Sequence, residues 1–313
     1  MQDKEKYKDY RPEFSSGMFH PRWWGTWLML GFLRVLVYLP RPVSAVIGAG
    51  IGDLFYLVNS KRRKVVQVNL KLCFPEMSET GRATLARHHY RVYGQTFVDM
   101  GLIWWASERF LDRYIKFDGL EHYQRQKDAG KQVILLTGHF VGIDIGGPVI
   151  SRKYRQIGLI KPIVNPVLDW VLGRGRIRFG SRMLLRDQGM RQVVRSIKEG
   201  YGFSYVPDED FGPEKSVFVP FLGTQAATLT SVGKLARMTD SAVLPCFVWR
   251  QSARQGYVIE IKPALENFPG GDDLQDAKRV RQELAEAIRQ HPEQYMWTFK
   301  FFRSQPDGRP SPY

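Results

Sequence analysis

Apolar residues fall into two different rhythms along this chain, and the rhythm changes near residue 130. From Ser78 to Ala106 they recur at helical spacing, with Leu85, His89, Val92, Thr96, Asp99 and Ile103 on one face, which predicts one long helix. Beyond it, short apolar runs predict strands at Val133–Thr137, Gly158–Val164, Gly202–Val206, Ala242–Trp249 and Tyr257–Lys262. Helical stretches around Gly189–Glu199 and Thr228–Met238 separate them, and an amphipathic helix over Leu274–Gln290 follows. Strands alternating with helices predict an α/β fold whose mostly parallel central sheet is flanked by helices. No internal repeat, low-complexity linker or domain boundary is evident after residue 65. The expected division is therefore residues 1–64 as a polar lead and anchor region, and 65–313 as one catalytic domain.

The N-terminal part follows neither rhythm. Residues 1–20 are polar and charged and read as a flexible lead without a cleavable signal. Trp23 to Leu39 then gives seventeen residues with a single charge, Arg34, and with Trp23, Trp24 and Trp27 crowded at one end. A second apolar stretch, Val43 to Val58, ends at the basic cluster Lys61, Arg62, Arg63 and Lys64. Two buried helices of a soluble protein fit the same pattern, but the tryptophan belt and the basic cluster favour a membrane anchor. Spanning and interfacial helices both remain open, and the positive-inside rule puts the following domain in the cytoplasm. The spacing Gly48-Ala-Gly50-Ile-Gly52 lacks the dinucleotide-loop pattern and points to close helix packing.

Composition sharpens this picture in two ways. Lysine and arginine total 46 against 31 acidic residues, a formal charge of +15, which calls for an anionic partner. Cys73 and Cys246 form no CxxC pair, so neither a disulfide framework nor a zinc site is expected. The chain contains no G-x-S-x-G elbow, H-E-x-x-H or P-loop, which weakens serine hydrolase, metalloprotease and nucleotidase readings.

The chemistry-bearing candidates lie in three segments. In Val133–Gly147, five apolar or small residues lead into His139, with Asp144 five positions on. On one ideal helix such a pair would point about 140° apart, so the two meet only if His139 lies in the turn and Asp144 in the helix. Asp144 would then hold the imidazole N–H and fix its tautomer while His139 acts as general base. A strand-end histidine bonded to nearby backbone is the plainer alternative. In Asn165–Arg178, Arg174, Arg176 and Arg178 alternate. If extended, they would present three guanidiniums to an anionic head group; otherwise they form a solvated basic face. Asp208-Glu209-Asp210 follows a strand, where pairing of an acid with one of those arginines is expected ahead of metal binding.

Five segments together resemble the late acyltransferases of lipid A biosynthesis, the lauroyl and myristoyl transferases of Gram-negative bacteria. They are NLKLCFPE (69–76), the H-x4-D of His139 and Asp144, NPVLDWVLGRGR, VPDEDFGPEKSVFVPF and PEQYMWTFKFFRSQPDG (292–308). The resemblance covers nearly the whole length, and the wider glycerolipid acyltransferase group shares only the H-x4-D. It implies a glycerol-3-phosphate-acyltransferase-like fold with an N-terminal membrane-anchoring helix. It also implies His139 and Asp144 as catalytic dyad and a substrate-binding role among Arg174, Arg176, Asp208 and Asp210. The implied donor is an acyl carrier protein thioester, with no other cofactor and no metal, and the acceptor is a lipid A precursor. Anionic lipids of the bacterial inner membrane, on its cytoplasmic face, are the further expected partners; nucleic acid is not. Many relatives carry Glu at the position of Asp144. A glycerophospholipid acyltransferase and a non-catalytic anionic-lipid-binding protein are the competing readings.

Overall fold

A computed structural model describes residues 9–313. Its helices are α1 (Trp24–Tyr38), α2 (Arg41–Val58), α3 (Ser60–Cys73), α4 (Glu79–Trp105), α5 (Glu108–Tyr114), α6 (Leu120–Asp128), α7 (Ile143–Ile150), α8 (Pro166–Ile177), α9 (Met190–Lys198), α10 (Ser231–Thr239) and α11 (Asp273–Gln290). Its strands are β1 (Ile115–Asp118), β2 (Gln132–Leu136), β3 (Gln156–Ile160), β4 (Arg182–Leu185), β5 (Gly202–Tyr205), β6 (Val217–Phe221), β7 (Thr224–Thr228), β8 (Ser241–Arg250) and β9 (Tyr257–Ile261).

Seven strands form one sheet in the order β1-β9-β8-β2-β5-β3-β4, parallel throughout except where β8 and β9 pair antiparallel. The expected α/β class and mostly parallel sheet are therefore present. The alternation of side chains along β2 explains the two flanking layers. Val133 and Leu135 pack with Leu102 and Ile103 of α4 and Ile145 of α7. Ile134 and Leu136 pack with Val193 and Ile197 of α9, Val232 and Leu235 of α10 and Val280 of α11. Buried on both faces, the strand has no polar side of its own, which is why it reads as a continuous apolar run.

Strands β1 and β4, only four residues each, and the β6–β7 hairpin carry too little pattern to be read from sequence. The polar lead differs from expectation too, over the residues described. Met18 is buried, Phe14 stacks edge-on against Trp170, and the Tyr10 hydroxyl donates to Asp169. Burial of Met18 with Val167 and Val171 and the aromatic contact with α8 outweigh the segment's polarity; residues 1–8 of the lead lie outside the described residues.

Two of the three glycines of the α2 triplet, Gly48 and Gly52, make the close helix packing the sequence led one to expect, while Gly50 faces open space. A Cβ at Gly48 would lie 2.6 Å from the Gln95 Cα, one at Gly52 2.1 Å from the Tyr90 carbonyl oxygen, and one at Gly94 2.3 Å from the Gly48 carbonyl oxygen. Only bare backbone lets α2 cross α4 so closely. Beside this crossing, Arg41 bonds Asp99 at 3.1 Å and the Ser44 hydroxyl at 2.8 Å, and Asp99 also accepts from the Tyr257 hydroxyl at 2.9 Å. The outward side of α1 and α2 is apolar but for the exposed Arg34: Trp24, Leu28, Phe32, Val35 and Tyr38 on α1, and Val43, Val46, Leu54, Leu57 and Val58 on α2, are all exposed. Helix α2 is long and apolar enough to cross a membrane, by length and composition alone.

Candidate active site

Two neighbouring parallel strands, β2 and β5, end side by side, so that the residues following them meet at one edge of the sheet. Beyond β2 the chain keeps pairing for one more residue, with the Thr137 N–H donating to the Tyr205 carbonyl at 3.0 Å. A tight turn follows, the Phe140 N–H donating to the Gly138 carbonyl at 2.7 Å, and it leaves His139 at the carboxyl edge of the sheet. Functional groups gather at this edge in open α/β sheets because the loops there are free to vary. Helix α7 then starts at once and presses on β8, where Cβ atoms on Gly142 and Gly146 would lie 2.7 Å and 2.3 Å from Val248.

The carboxylate that holds the imidazole is Asp208, three residues past β5. Its Oδ1 lies 2.6 Å from the His139 Nδ1. Its Oδ2 accepts the His139 backbone N–H at 2.6 Å and the Tyr295 hydroxyl at 2.9 Å. Asp208 is fully buried, and three donors are what a buried carboxylate needs to stay charged. Burial raises its pKa, but the His139 charge and hydrogen bonds outweigh that and hold it below the usual carboxylate range. An ionised carboxylate only accepts, so Nδ1 carries the proton and Nε2 presents its lone pair outward. Burial likewise disfavours the imidazolium, yet Asp208 first, then Glu209 and Asp144, raise the His139 pKa above its ordinary value.

Asp144 is not the ring's hydrogen-bond partner. The start of α7 turns its carboxylate toward α8, where Arg176 takes it in a fork, Nε to Oδ1 at 2.8 Å and Nη2 to Oδ2 at 3.2 Å. Its pKa is raised by burial and then lowered further by Arg176, ending below the usual range. The expectation that Asp144 would fix the tautomer gives way because a pairing across adjacent strands brings Asp208 straight onto Nδ1.

The arginine run is helical, so its three guanidiniums diverge. Arg174 lies over the Trp170 ring at 5.2 Å, while Arg178 donates to the Ile103 and Ala106 carbonyls at 2.6 and 2.7 Å. The acid triplet diverges as well, and none of its members pairs with that run. Glu209 takes Arg186 at 2.8 Å and stands 3.6 Å from the His139 Nε2. Asp210 accepts from the Ser304 N–H at 2.6 Å, the Ser304 hydroxyl at 2.8 Å and the Gly212 N–H at 2.9 Å, which fixes the loop to the C-terminal segment.

Sequence reasoning passed over Tyr295 and named Glu209 only as one of the acid triplet. Tyr295 is carried to Asp208 by the segment after α11, which is tied to the histidine turn by the Met296 N–H to His139 carbonyl bond at 2.8 Å and the Val141 N–H to Gln294 carbonyl bond at 2.8 Å. Asn69, from NLKLCFPE, braces the same segment by donating to the Trp297 and Phe299 carbonyls at 2.7 Å each. Behind them the fully buried Arg281 bonds the Thr228 hydroxyl at 2.7 Å and the Ala227 carbonyl at 2.9 Å, and its charge helps keep Asp208 ionised. The only available signal was that Tyr295 sits within a recognisable motif. Both cysteines are buried thiols whose pKa values burial pushes up, and neither belongs to the cleft.

Residues 11–304 match the family model described as bacterial lipid A biosynthesis acyltransferase. The chain is 36% identical over 304 residues to the lipid A biosynthesis lauroyltransferase of Escherichia coli K12, covering 96% of this chain and 99% of that protein. The palmitoleoyltransferase of the same organism is 30% identical over 302 residues (96% and 98% covered), and its myristoyltransferase 29% over 314 (100% and 97%).

Proposed function

Because the chain belongs to the bacterial lipid A biosynthesis acyltransferase family, we propose that it carries out a late acylation of lipid A, moving a lauroyl- or myristoyl-class chain from an acyl carrier protein thioester to a 3-hydroxyl on an acyl chain of the lipid A precursor. The observation that carries this reading is the His139 ring at the carboxyl edge of the sheet, its Nδ1 engaged by buried Asp208 at 2.6 Å and its Nε2 making no hydrogen bond among the described residues, 3.6 Å from Glu209.

In this scheme Nε2 removes the proton from the acceptor hydroxyl as the oxygen attacks the thioester carbonyl. Asp208 stabilises the imidazolium that forms. Collapse of the tetrahedral intermediate breaks the C–S bond, and the imidazolium returns its proton to the departing thiolate, leaving an ester and a free carrier thiol. Asp144 serves the reaction through Arg176. The fork fixes the guanidinium and leaves Nη1 for the developing oxyanion or a lipid phosphate. No covalent enzyme intermediate is invoked.

The exposed apolar side of α1 and α2 is the membrane-seeking surface in this reading, on the cytoplasmic leaflet of the inner membrane. Helix α1, 15 residues long, spans about 22 Å against the roughly 30 Å of a bilayer's hydrocarbon core. Helix α2 is held along α4 by its glycine crossing. Both features favour two helices lying in the interface, their flanking cations meeting anionic lipids.

The test is a purified assay with labelled lauroyl- and myristoyl-acyl carrier protein and a lipid A precursor, read by mass spectrometry. His139→Ala should abolish transfer while folding and vesicle binding persist. Near-normal turnover by that variant would sink the scheme, and transfer to lysophosphatidate instead would move the chain to the glycerophospholipid class.

A further inference from the structure

Strand β8 outlasts one of its neighbours. It pairs with β2 only from Ser241 to Pro245, while its later residues, Cys246 to Arg250, pair with β9 on the other side. At its buried last residue, Arg250, the N–H and C=O that face away from β9 have no strand to meet. One side chain supplies what is missing. The Gln294 amide accepts the Arg250 N–H at 2.8 Å and donates to the Arg250 carbonyl at 2.9 Å, the two-way exchange that an antiparallel neighbour would make. Its Nε2 has a second acceptor, the Glu293 carboxylate at 3.3 Å, so the partners fix which way the amide points. The Arg250 guanidinium itself turns to Asp99, 3.6 Å away.

We propose that Gln294 is the positioning residue that sets the histidine turn against Asp208. Only 3% exposed, it is where three parts of the chain meet. Its side chain is registered to the end of β8, and its carbonyl accepts the Val141 N–H at 2.8 Å. The next residue, Tyr295, bridges to Phe140 and donates to Asp208, and Met296 closes the turn on the His139 carbonyl. The segment is braced on both sides, by His89 against the Glu293 carbonyl at 3.0 Å and by Asn69 against Trp297 and Phe299. Between those braces it is Gln294 that reaches β8, handing the strand's register to a turn that has left the sheet. Without the amide, Tyr295 is the group least held, because His139 keeps its own backbone and ring bonds to Asp208. Gln294 is neutral and makes no hydrogen bond to either member of that pair, so it acts on them through geometry alone. The charges around the pair, Glu209, Asp144 with Arg176, and Arg281, are the same with or without it. Its part in acyl transfer rests on the function proposed above; its setting of the ring does not.

The full chain, carrying isotope-labelled histidine, is titrated with pH and followed by NMR, the His139 signals being those lost in His139→Ala. Gln294→Met keeps the length and bulk of the side chain but loses both bonds to Arg250. The ring's titration midpoint should rise, as in Tyr295→Phe, and in the Tyr295→Phe background it should move no further. In the transfer assay kcat should fall at least about tenfold while KM stays within about twofold. Gln294→Asn keeps the amide on a stem one methylene shorter and should give a smaller shift of the same sign; it carries the test if Gln294→Met does not fold. Gln156→Met removes another buried glutamine, from the opposite edge of the sheet, and should leave the midpoint where it is. A lower melting temperature with an unmoved midpoint overturns the positioning role, as does an equal shift in Gln156→Met. A ring that responds to Gln294→Met in a parent chain without acyl transfer would refute the proposed reaction and leave the positioning standing.

Discussion

Arg176 and Asp144 are joined by two parallel contacts, at 2.8 and 3.2 Å, that lock the start of α7 to the last turn of α8. The pair stands close enough to His139 for the Asp144 charge to add to the rise in the ring's pKa, yet it makes no hydrogen bond to the ring. In the proposed reaction its service would thus be the placing of a cation. Asp144→Asn removes the counter-charge and should lower kcat/KM about 100-fold, the scale expected when a catalytic group drifts by an ångström. Steady-state kinetics on the variant checks this, and parent-like values would mean that the placement of Arg176 is immaterial.

The Asp208–His139 bond makes a prediction about pH. A base whose pKa is raised stays protonated, and so idle, until the pH passes it; kcat/KM should climb through a midpoint above the ordinary histidine value of about 6.5. The matching contribution to stability has the opposite course. It is full below the unfolded histidine's pKa and fades as pH rises through the folded one. Asp208→Asn removes the main cause of the rise. The midpoint should move down, while kcat falls by up to roughly 10⁴-fold as the tautomer is lost. A pH–rate profile whose midpoint did not move would contradict the assigned pairing.

Tyr295→Phe isolates a smaller part of the same network. It deletes one of three hydrogen bonds to Asp208 and leaves the ring stacked among Phe140, Trp297 and Phe301. Loss of one bond to a charged group costs about 1.5–3 kcal/mol, which would lower the thermal stability measurably. Less of the Asp208 charge is then answered elsewhere, so the kinetic midpoint should shift upward, opposite to Asp208→Asn. Calorimetry and the pH profile, taken together, separate this positioning role from a merely structural one.

The glycine crossing predicts opposite signs for two similar changes in one helix. Gly52→Ala drives a methyl into the Tyr90 carbonyl and should cost at least about 2 kcal/mol. Gly50→Ala meets nothing within 4 Å and should be neutral or stabilise by up to about 1 kcal/mol. Thermal unfolding of both variants decides the matter.

Leu28→Glu, Val46→Glu and Leu57→Glu place carboxylates on the exposed apolar face without touching the buried side of either helix. Binding to vesicles that contain anionic lipid should fall by more than tenfold in flotation assays, with folding intact. Retention at parent levels would show that this face is not the contact.

What was legible in the chain was what its local pattern carries. The apolar run of β2 and the helical face of α4 announced themselves, because burial on both sides or along one stripe leaves a periodic trace. His139 stood out for the same reason, at the end of such a run. Its partner did not: Asp208 lies 69 residues away and meets it only because β5 hydrogen-bonds to β2, a register that no spacing encodes. Asp144 was the nearer acid along the chain and so drew the pairing. The arginine run misled in a different way, because alternate arginines look like a strand when the helix is what forms, led by the Asn165 side chain capping the Val167 and Leu168 N–H groups at 3.1 and 3.2 Å.

The Asp208–Tyr295 bond spans 87 positions, and the brace from Asn69 to the Trp297 carbonyl spans 228. On the ribosome those partners emerge at very different times. Helices α1 and α2 are made before the sheet and its cleft, and in the reading proposed above their apolar face would be free to reach a lipid surface while the rest is still unmade. His139 and Asp208 follow, and the tyrosine that completes the carboxylate's shell emerges 87 positions after Asp208. If the exposed apolar face is the membrane contact, attachment precedes completion of the proposed site, and a chain terminated before Tyr295 would be delivered without it.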